Sequence, residues 1–292
     1  MFSAMRWLGR LSAFFAILVG AAGCTGAAPQ APGPAAGPAA VIRIAGSDTM
    51  QPLVRMWAES FMRLHPNVSI YTEGGGSGRG LTSLIEGNVD LAAGSRTMQA
   101  DEIKRLLDNR GFLGQSILTA KDALSIYLHP SNPVRELSLG QLQGILGGTI
   151  RNWQEVGGRD APIELISRQP NSGTYSFLQQ HVLQGRPYGT IAETAPHTSS
   201  VVERVAANAN ALGYGGVAYG PDLIHCRIDG VEPTLENVRD GSYPLARYLY
   251  LFAAGPLEGH VRDFVNWVLS DEAQRIVGEV GYIPLWDIDP VN

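Results

Sequence analysis

The chain has 292 residues, of which 45% are hydrophobic and 17% are charged, and its formal net charge at pH 7 is −5. This length and composition predict a globular protein with a large hydrophobic core, in one or two domains. The acidic balance argues against nucleic acid as a partner. The six histidines are scattered without the spacing of metal ligands, so we predict neither a metal centre nor a cofactor.

The N-terminal residues predict export. Arg6 and Arg10 precede an apolar run, LSAFFAILVGAAG, which is too short to span a bilayer as a stable helix. Small residues then lead to Cys24, as in a secretory signal. The stretch AAGC resembles the lipobox of bacterial lipoproteins, with an alanine in place of the usual leucine. We expect residues 1–23 to be a signal peptide and Cys24 to be lipidated; the alternative is an ordinary signal peptide cleaved nearby.

The segment that follows predicts a tether. Residues 24–40 contain four prolines, no charge and no apolar periodicity, which favours a semi-extended chain without a core. Such a tether would hold the folded domain clear of the membrane, in the periplasm or outside the cell. Removal of residues 1–23 leaves 20 basic and 27 acidic residues, a formal charge of −7. With Cys24 lipidated, Cys226 has no partner for an intramolecular disulfide.

Three βα units come next in the chain. VIRIA, VSIYT and VDLAAG are strand candidates, and each is followed by a turn and a helical pattern. This order predicts a parallel α/β sheet with right-handed crossovers. The three turns are rich in Ser, Thr and Gly and comprise Gly46–Met50, Gly74–Gly80 and Gly94–Met98. Ligands of open α/β sheets bind at the edge where these turns lie.

A second α/β region begins at the strand candidate ALSIYLHPSNPV. The sequence then predicts a helix at LSLGQLQGILGG, a strand at IELISR, a helix opening at Ser172, a helix at SSVVERVAANAN and a strand pair near ALGYGGVAYG. YPLARYLYLFA predicts a long strand, and two helices follow between Leu257 and Gly278. We expect two α/β lobes joined by two crossover strands that act as a hinge. The predicted bounds are 41–124 plus 248–292 for the first lobe and 125–247 for the second.

The glycine-rich turn YTEGGGSGRGLTSLIEG excludes several kinds of site. A nucleophile elbow needs a glycine two residues after its serine, but Arg79 stands two residues after Ser77. The stretch has no lysine for a P-loop and no G-x-G-x-x-G frame. Its backbone N–H groups and the Ser77 hydroxyl, at a helix N-terminus, suit a compact oxyanion. The alternative is a glycine turn that only closes a tight βα connection.

The other turns strengthen the oxyanion hypothesis. SRQPNSGT supplies Arg168, whose guanidinium can pair with an oxyanion through two hydrogen bonds. The same stretch offers hydroxyls and N–H groups at a helix start, GSRTM adds Ser95 and Arg96, and GSDTM adds Asp48 and Thr49. Four such turns on two facing lobes predict a binding pocket for an anion.

Three motifs in this order resemble the substrate-binding lipoproteins of phosphate ABC transporters, the Pst phosphate-binding proteins: IAGSDTMQPL, EGGGSGRGLTSLIEGNVDLAAGSRTM and RQPNSGTYSF. The resemblance extends from about Val41 to Asp287. It implies a two-lobed periplasmic-binding-protein fold that closes over one inorganic phosphate in the interlobe cleft. It further implies a monomer that has no enzymatic activity, delivers phosphate to ABC permease subunits and touches the membrane only through its lipid. The phosphate-binding residues that it implies are Thr49, Met50, Ser77, Ser95, Arg96, Arg168, Ser172, Gly173 and Thr174.

One position departs from the family pattern. The best-known members carry an aspartate, which accepts the proton of phosphate, roughly where Arg96 stands here. Asp48 is a possible substitute acceptor, and its alternative role is to cap the following helix. The remaining hypotheses are a receptor for sulfate, molybdate or tungstate, and a phosphate sensor or adhesion protein of the same fold. An exported phosphatase is disfavoured, because no histidine or cysteine accompanies the turns.

Overall fold

The computed structural model describes residues 40–288, so the predicted signal peptide, Cys24 and nearly all of the tether lie outside the described residues. In the N-terminal part the elements are β1 (Ala40–Gly46), α1 (Gln51–Leu64), β2 (Val68–Glu73), α2 (Ser77–Glu86), β3 (Leu91–Gly94) and α3 (Ala100–Arg110). A long strand follows, β4 (Gln115–Leu128). No helix among the described residues is long and apolar enough to cross a membrane.

The middle of the chain forms a second set of elements. These are β5 (Glu136–Leu137), α4 (Leu139–Gly147), a 3-10 turn (Trp153–Val156), β6 (Glu164–Arg168), α5 (Gly173–His181), β7 (Glu193–Ala195), α6 (Thr198–Ala207), β8 (Ala211–Gly216), β9 (Ile224–His225), β10 (Arg227–Ile228) and α7 (Leu235–Arg239). The chain returns through β11 (Ala246–Ala253) and ends in α8 (Gly259–Val268) and α9 (Asp271–Val280).

The first lobe is built on a parallel sheet, as the βα pattern predicts. β1 lies between β2 and β3 and pairs with both in parallel. Helix α1 buries Leu53, Trp57 and Phe61, which recur at helical spacing and pack in the same core cluster as β1. Because the three strands are parallel, the turns that follow them lie at one edge of the sheet.

Strands β4 and β11 connect the lobes. They pair in antiparallel fashion from residue 115 to residue 123 of β4, and β4 then pairs with β8 over residues 124–128. Ala120 and Leu249 belong to the core cluster of the first lobe, whereas Leu124 and Leu245 belong to that of the second. The two-lobed architecture with two crossover strands therefore agrees with the prediction, although β4 begins well before the predicted ALSIYL segment.

The second lobe continues the sheet in the order β4, β8, β6, β7, and β6 pairs in parallel with both β7 and β8. The strand pair predicted near ALGYGGVAYG is wrong, since β8 is the one strand that the described structure has there. After Gly216 the chain turns, because Val217 N–H donates to Asp122 Oδ1 and Tyr219 reaches back to the first lobe.

The last described residues contact both lobes. After α9, Tyr282 packs in the core cluster of the first lobe, whereas Ile283 packs in that of the second. Ile283 also forms an antiparallel bridge with Lys121 of β4. The predicted bounds assign everything after residue 248 to the first lobe, so the structure adds a third chain segment at the boundary.

Candidate functional site

The first turn is fixed through its backbone. The Tyr219 hydroxyl donates to the carbonyl oxygen of Asp48 at 2.7 Å, and the Tyr282 hydroxyl donates to that of Thr49. Burial raises the pKa of both phenols above the ordinary value, so both remain protonated donors. Met50 is the N-cap residue of α1 and no side chain caps this helix. The helix-cap role considered for Asp48 is therefore wrong.

The glycine turn brings the start of α2 against the first and third turns. Gly76 has φ of 96°, a conformation that glycine adopts at little cost, and its N–H donates to the carbonyl oxygen of Gly46 at 2.9 Å. Ser77 is fully buried, and its Oγ accepts a hydrogen bond from the Ser95 N–H at 3.1 Å. Arg79 is exposed and pairs with Glu73 at 3.3 Å, outside this contact.

The third turn contains Arg96, which is held inside the first lobe. Its Nη1 and Nη2 each donate to a Glu102 carboxylate oxygen at 2.7 Å, and Nη1 also donates to the Thr97 carbonyl oxygen. Among the described residues, its buried Nε–H has no hydrogen-bond partner. Arg96 and Ser95 both line a cavity of about 200 Å³ at the cleft.

The fourth turn belongs to the second lobe and meets the other three. Ser172 is the N-cap of α5, and Thr174 Oγ1 lies 3.1 Å from Thr49 Oγ1 of the first lobe. A Cβ added to Gly173 would lie only 2.3 Å from Ser77 Oγ and 2.5 Å from Ser95 Oγ. This position therefore requires glycine for close approach, and the N-termini of α2 and α5 face each other there.

Arg168 pairs with a carboxylate across the cleft. Its Nη2 donates to Asp48 Oδ2 at 2.5 Å, and its Nη1 donates to Thr198 Oγ1 at 2.9 Å. The Arg168 side chain is 2% exposed, and its Nε–H has no partner among the described groups. Asp48 Oδ1 accepts from the Gly75 N–H at 2.9 Å and lies 3.0 Å from His197 Nδ1. An ionised carboxylate only accepts, so this imidazole nitrogen is the donor.

Other contacts also hold the lobes together. The Gly78 N–H donates to the Asn171 carbonyl oxygen at 3.0 Å, and Asn171 Nδ2 donates to the Gly75 carbonyl oxygen at 3.1 Å. With the Asp48–Arg168 pair, these bonds bring the lobes into direct contact. All nine predicted binding residues and Asp48 are buried in this structure.

Sequence reasoning missed a third buried ion pair at the site. Arg247 of β11 lies opposite Asp122 of β4 in the strand ladder, and its Nη2 is 2.7 Å from Asp122 Oδ2. Burial raises the pKa of Asp122 and the Arg247 charge opposes this shift. The sequence does contain a sign of this pair. Side chains alternate between the two faces of a strand, so Arg247 points to the same face of β11 as the buried Leu249 and Leu251. A charge on the core face of an apolar strand needs a buried partner.

The formal charges at the site balance. Arg96, Arg168 and Arg247 pair with Glu102, Asp48 and Asp122, in that order. The positive potential for an anion therefore comes mainly from helix N-termini and unpaired N–H groups. Within residues 40–288, no group of three or more His, Cys, Asp or Glu side chains is placed to hold a metal ion.

Two cavities border the interlobe contact. The cavity of about 200 Å³ also includes Phe177 and Arg247, and one of about 230 Å³ includes Asp48, His197 and Tyr219. A larger depression of about 580 Å³ lies elsewhere, against strands β1 and β2, and contains none of the predicted binding residues. We place the candidate site between the lobes, because the buried polar groups converge there.

Comparison with known proteins agrees with this architecture. A family model for the PBP superfamily domain matches residues 33–272. The phosphate-binding protein PstS of Bacillus subtilis is 34% identical over 251 residues, which cover 85% of this chain and 81% of that protein. PstS of Pseudomonas aeruginosa is 31% identical over 263 residues, which cover 82% of this chain and 81% of that protein.

A solved structure is also similar. It is the crystal structure of a phosphate ABC transporter substrate-binding protein with bound phosphate from Clostridium perfringens, with a TM-score of 0.78 and 30% identity. The match covers 84% of this chain and all of that one. The chain therefore belongs to the PBP superfamily of substrate-binding proteins and, within it, to the family of Pst-type phosphate-binding proteins. This is a family of extracytoplasmic transport proteins rather than of enzymes.

Proposed function

We propose that this protein captures one inorganic phosphate between its lobes and presents it to the permease of an ABC transporter. The observation that carries the proposal is the meeting of hydroxyls and helix N-termini from both lobes beside the buried Arg168. The Nε–H of that arginine has no partner among the described groups. A buried donor without an acceptor costs free energy unless a ligand satisfies it. The family assignment supports the same ligand.

Each turn contributes a different donor. Thr49 and Ser77 offer hydroxyls from the first lobe, and the first-turn N–H groups of α5 at Gly173 and Thr174 are donors that a helix does not use internally. Arg168 supplies the charged hydrogen bond. A tetrahedral oxyanion has enough acceptor oxygens to satisfy all of these groups at once. Closure of the two lobes around it would complete the shell.

Asp48 is the proposed acceptor of the phosphate proton. A carboxylate has about four lone-pair positions for hydrogen bonds. Three of these are used here, by Gly75, His197 and Arg168. One position on Oδ2 remains, which a protonated phosphate oxygen can fill and a sulfate oxygen cannot. Arg96 has no such role, because it is a cation and its Nη groups bind Glu102.

Titration calorimetry on protein that has been stripped of ligand by unfolding and refolding tests the ligand. We expect one phosphate per chain with micromolar or tighter affinity, and weak competition by sulfate, molybdate and tungstate. If one of those anions bound more tightly than phosphate, that anion would be the ligand, and the protein would still be a receptor for an oxyanion. Failure of all four to bind would contradict the proposal.

We further propose that Cys24 is lipidated, that the lipid is the protein's contact with the membrane, and that the folded domain is monomeric and non-enzymatic. The support is the AAGC stretch and the uncharged, proline-rich segment after it. Mass spectrometry of the N-terminal peptide should find diacylglycerol on Cys24. An unmodified N-terminus elsewhere would contradict the anchor without affecting phosphate binding.

A further inference from the structure

Arg247 borders the predicted anion site, although no binding motif includes it. Its Nη1 donates to Thr174 Oγ1 at 3.0 Å and lies 3.5 Å from the Ser95 carbonyl oxygen. Its Nη2 lies 3.4 Å from Thr49 Oγ1. We propose that Arg247 is a second guanidinium ligand of the bound oxyanion. This inference rests on the proposed function and adds a residue from the crossover strands to its site.

Two neighbours fix the orientation of the guanidinium. Asp122 Oδ2 accepts from Nε at 2.8 Å and forms an ion pair with Nη2 at 2.7 Å. The Phe177 ring lies 5.7 Å from Cζ of Arg247, within the range of a cation–π contact. The side chain is 2% exposed. With one edge bound to Asp122, Nη1 faces the Thr174 hydroxyl and the Ser95 carbonyl oxygen, and Nη2 lies near the Thr49 hydroxyl.

The distances bring this nitrogen within reach of the ligand. An oxyanion that accepts from the Thr49 and Thr174 hydroxyls lies about 2.7 Å from their oxygens. The Nη atoms of Arg247 are already 3.0 Å and 3.4 Å from the same two oxygens. A small rotation of either hydroxyl group toward the anion therefore lets Nη1 donate to the anion itself. Such a bond between a buried guanidinium and an oxyanion is charge-assisted and strong.

A purely mechanical role is the competing explanation. Arg247 and Asp122 lie on β11 and β4, so their ion pair would serve as a clamp between the two crossover strands. If the clamp were the whole role, removing either partner would weaken phosphate binding equally, and an apolar pair would restore it. If Arg247 is a ligand, its removal should weaken phosphate binding more than the removal of Asp122, because only the arginine donates to the anion.

The experiment measures phosphate affinity by calorimetry for the wild type and five variants. Arg247→Met removes the guanidinium, and Asp122→Asn keeps an oxygen acceptor for Nε while removing the negative charge. The double variant Arg247→Met with Asp122→Leu replaces the clamp by apolar packing, which often substitutes well for a buried ion pair. Arg247→Lys keeps the charge beside Asp122, so it guards against failure of Arg247→Met to fold. Arg204→Met, which breaks a partly exposed ion pair with Glu193, is the control outside the cleft.

We expect Arg247→Met and the double variant to lose about 30-fold or more in affinity, the scale of a lost charged hydrogen bond. Arg247→Lys should lose about tenfold, because an ammonium cannot bind Asp122 and the anion in the same fork geometry. Arg204→Met should bind within about threefold of the wild type. Asp122→Asn should lose less affinity than Arg247→Met, because its amide oxygen can still accept from Nε of the arginine. Recovery of wild-type affinity in the folded double variant, or unchanged affinity in Arg247→Lys, would overturn the inference. Lack of phosphate binding by the wild type would instead overturn the proposed function.

Discussion

The two buried ion pairs Arg168–Asp48 and Arg247–Asp122 have the same chemistry and different positions. Asp48 and Arg168 belong to different lobes, so their bond exists only while the lobes touch. Asp122 and Arg247 are direct partners on neighbouring strands that connect the lobes, so their bond does not depend on closure. We infer that the first pair responds to opening of the cleft, whereas the second holds a guanidinium in a fixed position at its base.

This difference has a consequence for ligand binding. In the observed contact, Arg168 is paired with Asp48, so under the proposed function an incoming phosphate would share that arginine with the carboxylate. Arg247 also has a carboxylate partner, but its Nη1 faces hydroxyls instead. Under the proposed function, the interlobe pair would set which anion is accepted, and Arg247 of the strand pair would add a hydrogen-bond donor for that anion.

The largest expected effect is from Arg168→Ala. It removes the charged donor of the second lobe and leaves Asp48 buried beside the anion, so phosphate affinity should fall by more than about 2 kcal/mol. Calorimetry on the stripped variant measures the loss. Arg79→Ala is the matched control, since Arg79 is an exposed arginine that pairs with Glu73 at the end of β2. An affinity within a factor of about two of the wild type would remove Arg168 from the site.

Gly173→Ala tests the close approach of the lobes. The added Cβ would lie 2.3 Å from Ser77 Oγ, so the lobes cannot close as observed, although alanine suits the start of a helix. Phosphate affinity should fall about tenfold, near 1.4 kcal/mol, and small-angle scattering with phosphate should show a more open molecule. Gly140→Ala is the control. Gly140 lies in the first turn of α4, and a Cβ added there would have its nearest neighbour, Ser138 Oγ, at 3.8 Å. Equal affinities for the two variants would contradict closure at Gly173.

Asp48→Asn tests selectivity rather than strength. The variant loses the carboxylate that accepts the phosphate proton, so the affinity for phosphate should fall several-fold. It also loses the negative charge that repels fully ionised anions, so the affinity for sulfate should not fall. The phosphate-to-sulfate ratio of affinities should fall about tenfold, equal to 1.4 kcal/mol. Glu73→Gln supplies a carboxylate change outside the cleft. If both anions weaken by the same factor, Asp48 acts only as the partner of Arg168.

The smallest expected effect is from Tyr219→Phe. This change deletes the hydrogen bond to the Asp48 carbonyl oxygen and loosens the first turn, which should reduce phosphate affinity by about 1 kcal/mol. Tyr243→Phe is a useful comparison, because Tyr243 donates to the Leu124 carbonyl oxygen in the second lobe. It should lower the midpoint of thermal unfolding without changing the affinity. If Tyr219→Phe left phosphate affinity unchanged and Tyr243→Phe lowered it, the hydrogen bond from Tyr219 would not be what positions the first turn for binding.

The sequence predicts the first lobe well, because its strands and amphipathic helices have clear periods and each turn is marked by glycine and hydroxyl residues. Strand β4 was only half predicted, since its first part carries Asp122 and the exposed Leu118, which break the apolar pattern. The turns of the site were predicted from motifs. Their partners were not, because Asp48 meets Arg168 across 120 residues of chain and only the lobe contact brings them together.

A crystal structure of the protein grown with phosphate tests the central claim most directly. We predict one tetrahedral ligand between the lobes, within hydrogen-bond distance of Ser77, Thr174 and Arg168, with one oxygen facing Asp48 Oδ2. A tetrahedral ligand bound elsewhere, such as in the groove beside Tyr71 and Arg79, with a cleft that holds none, would contradict the account.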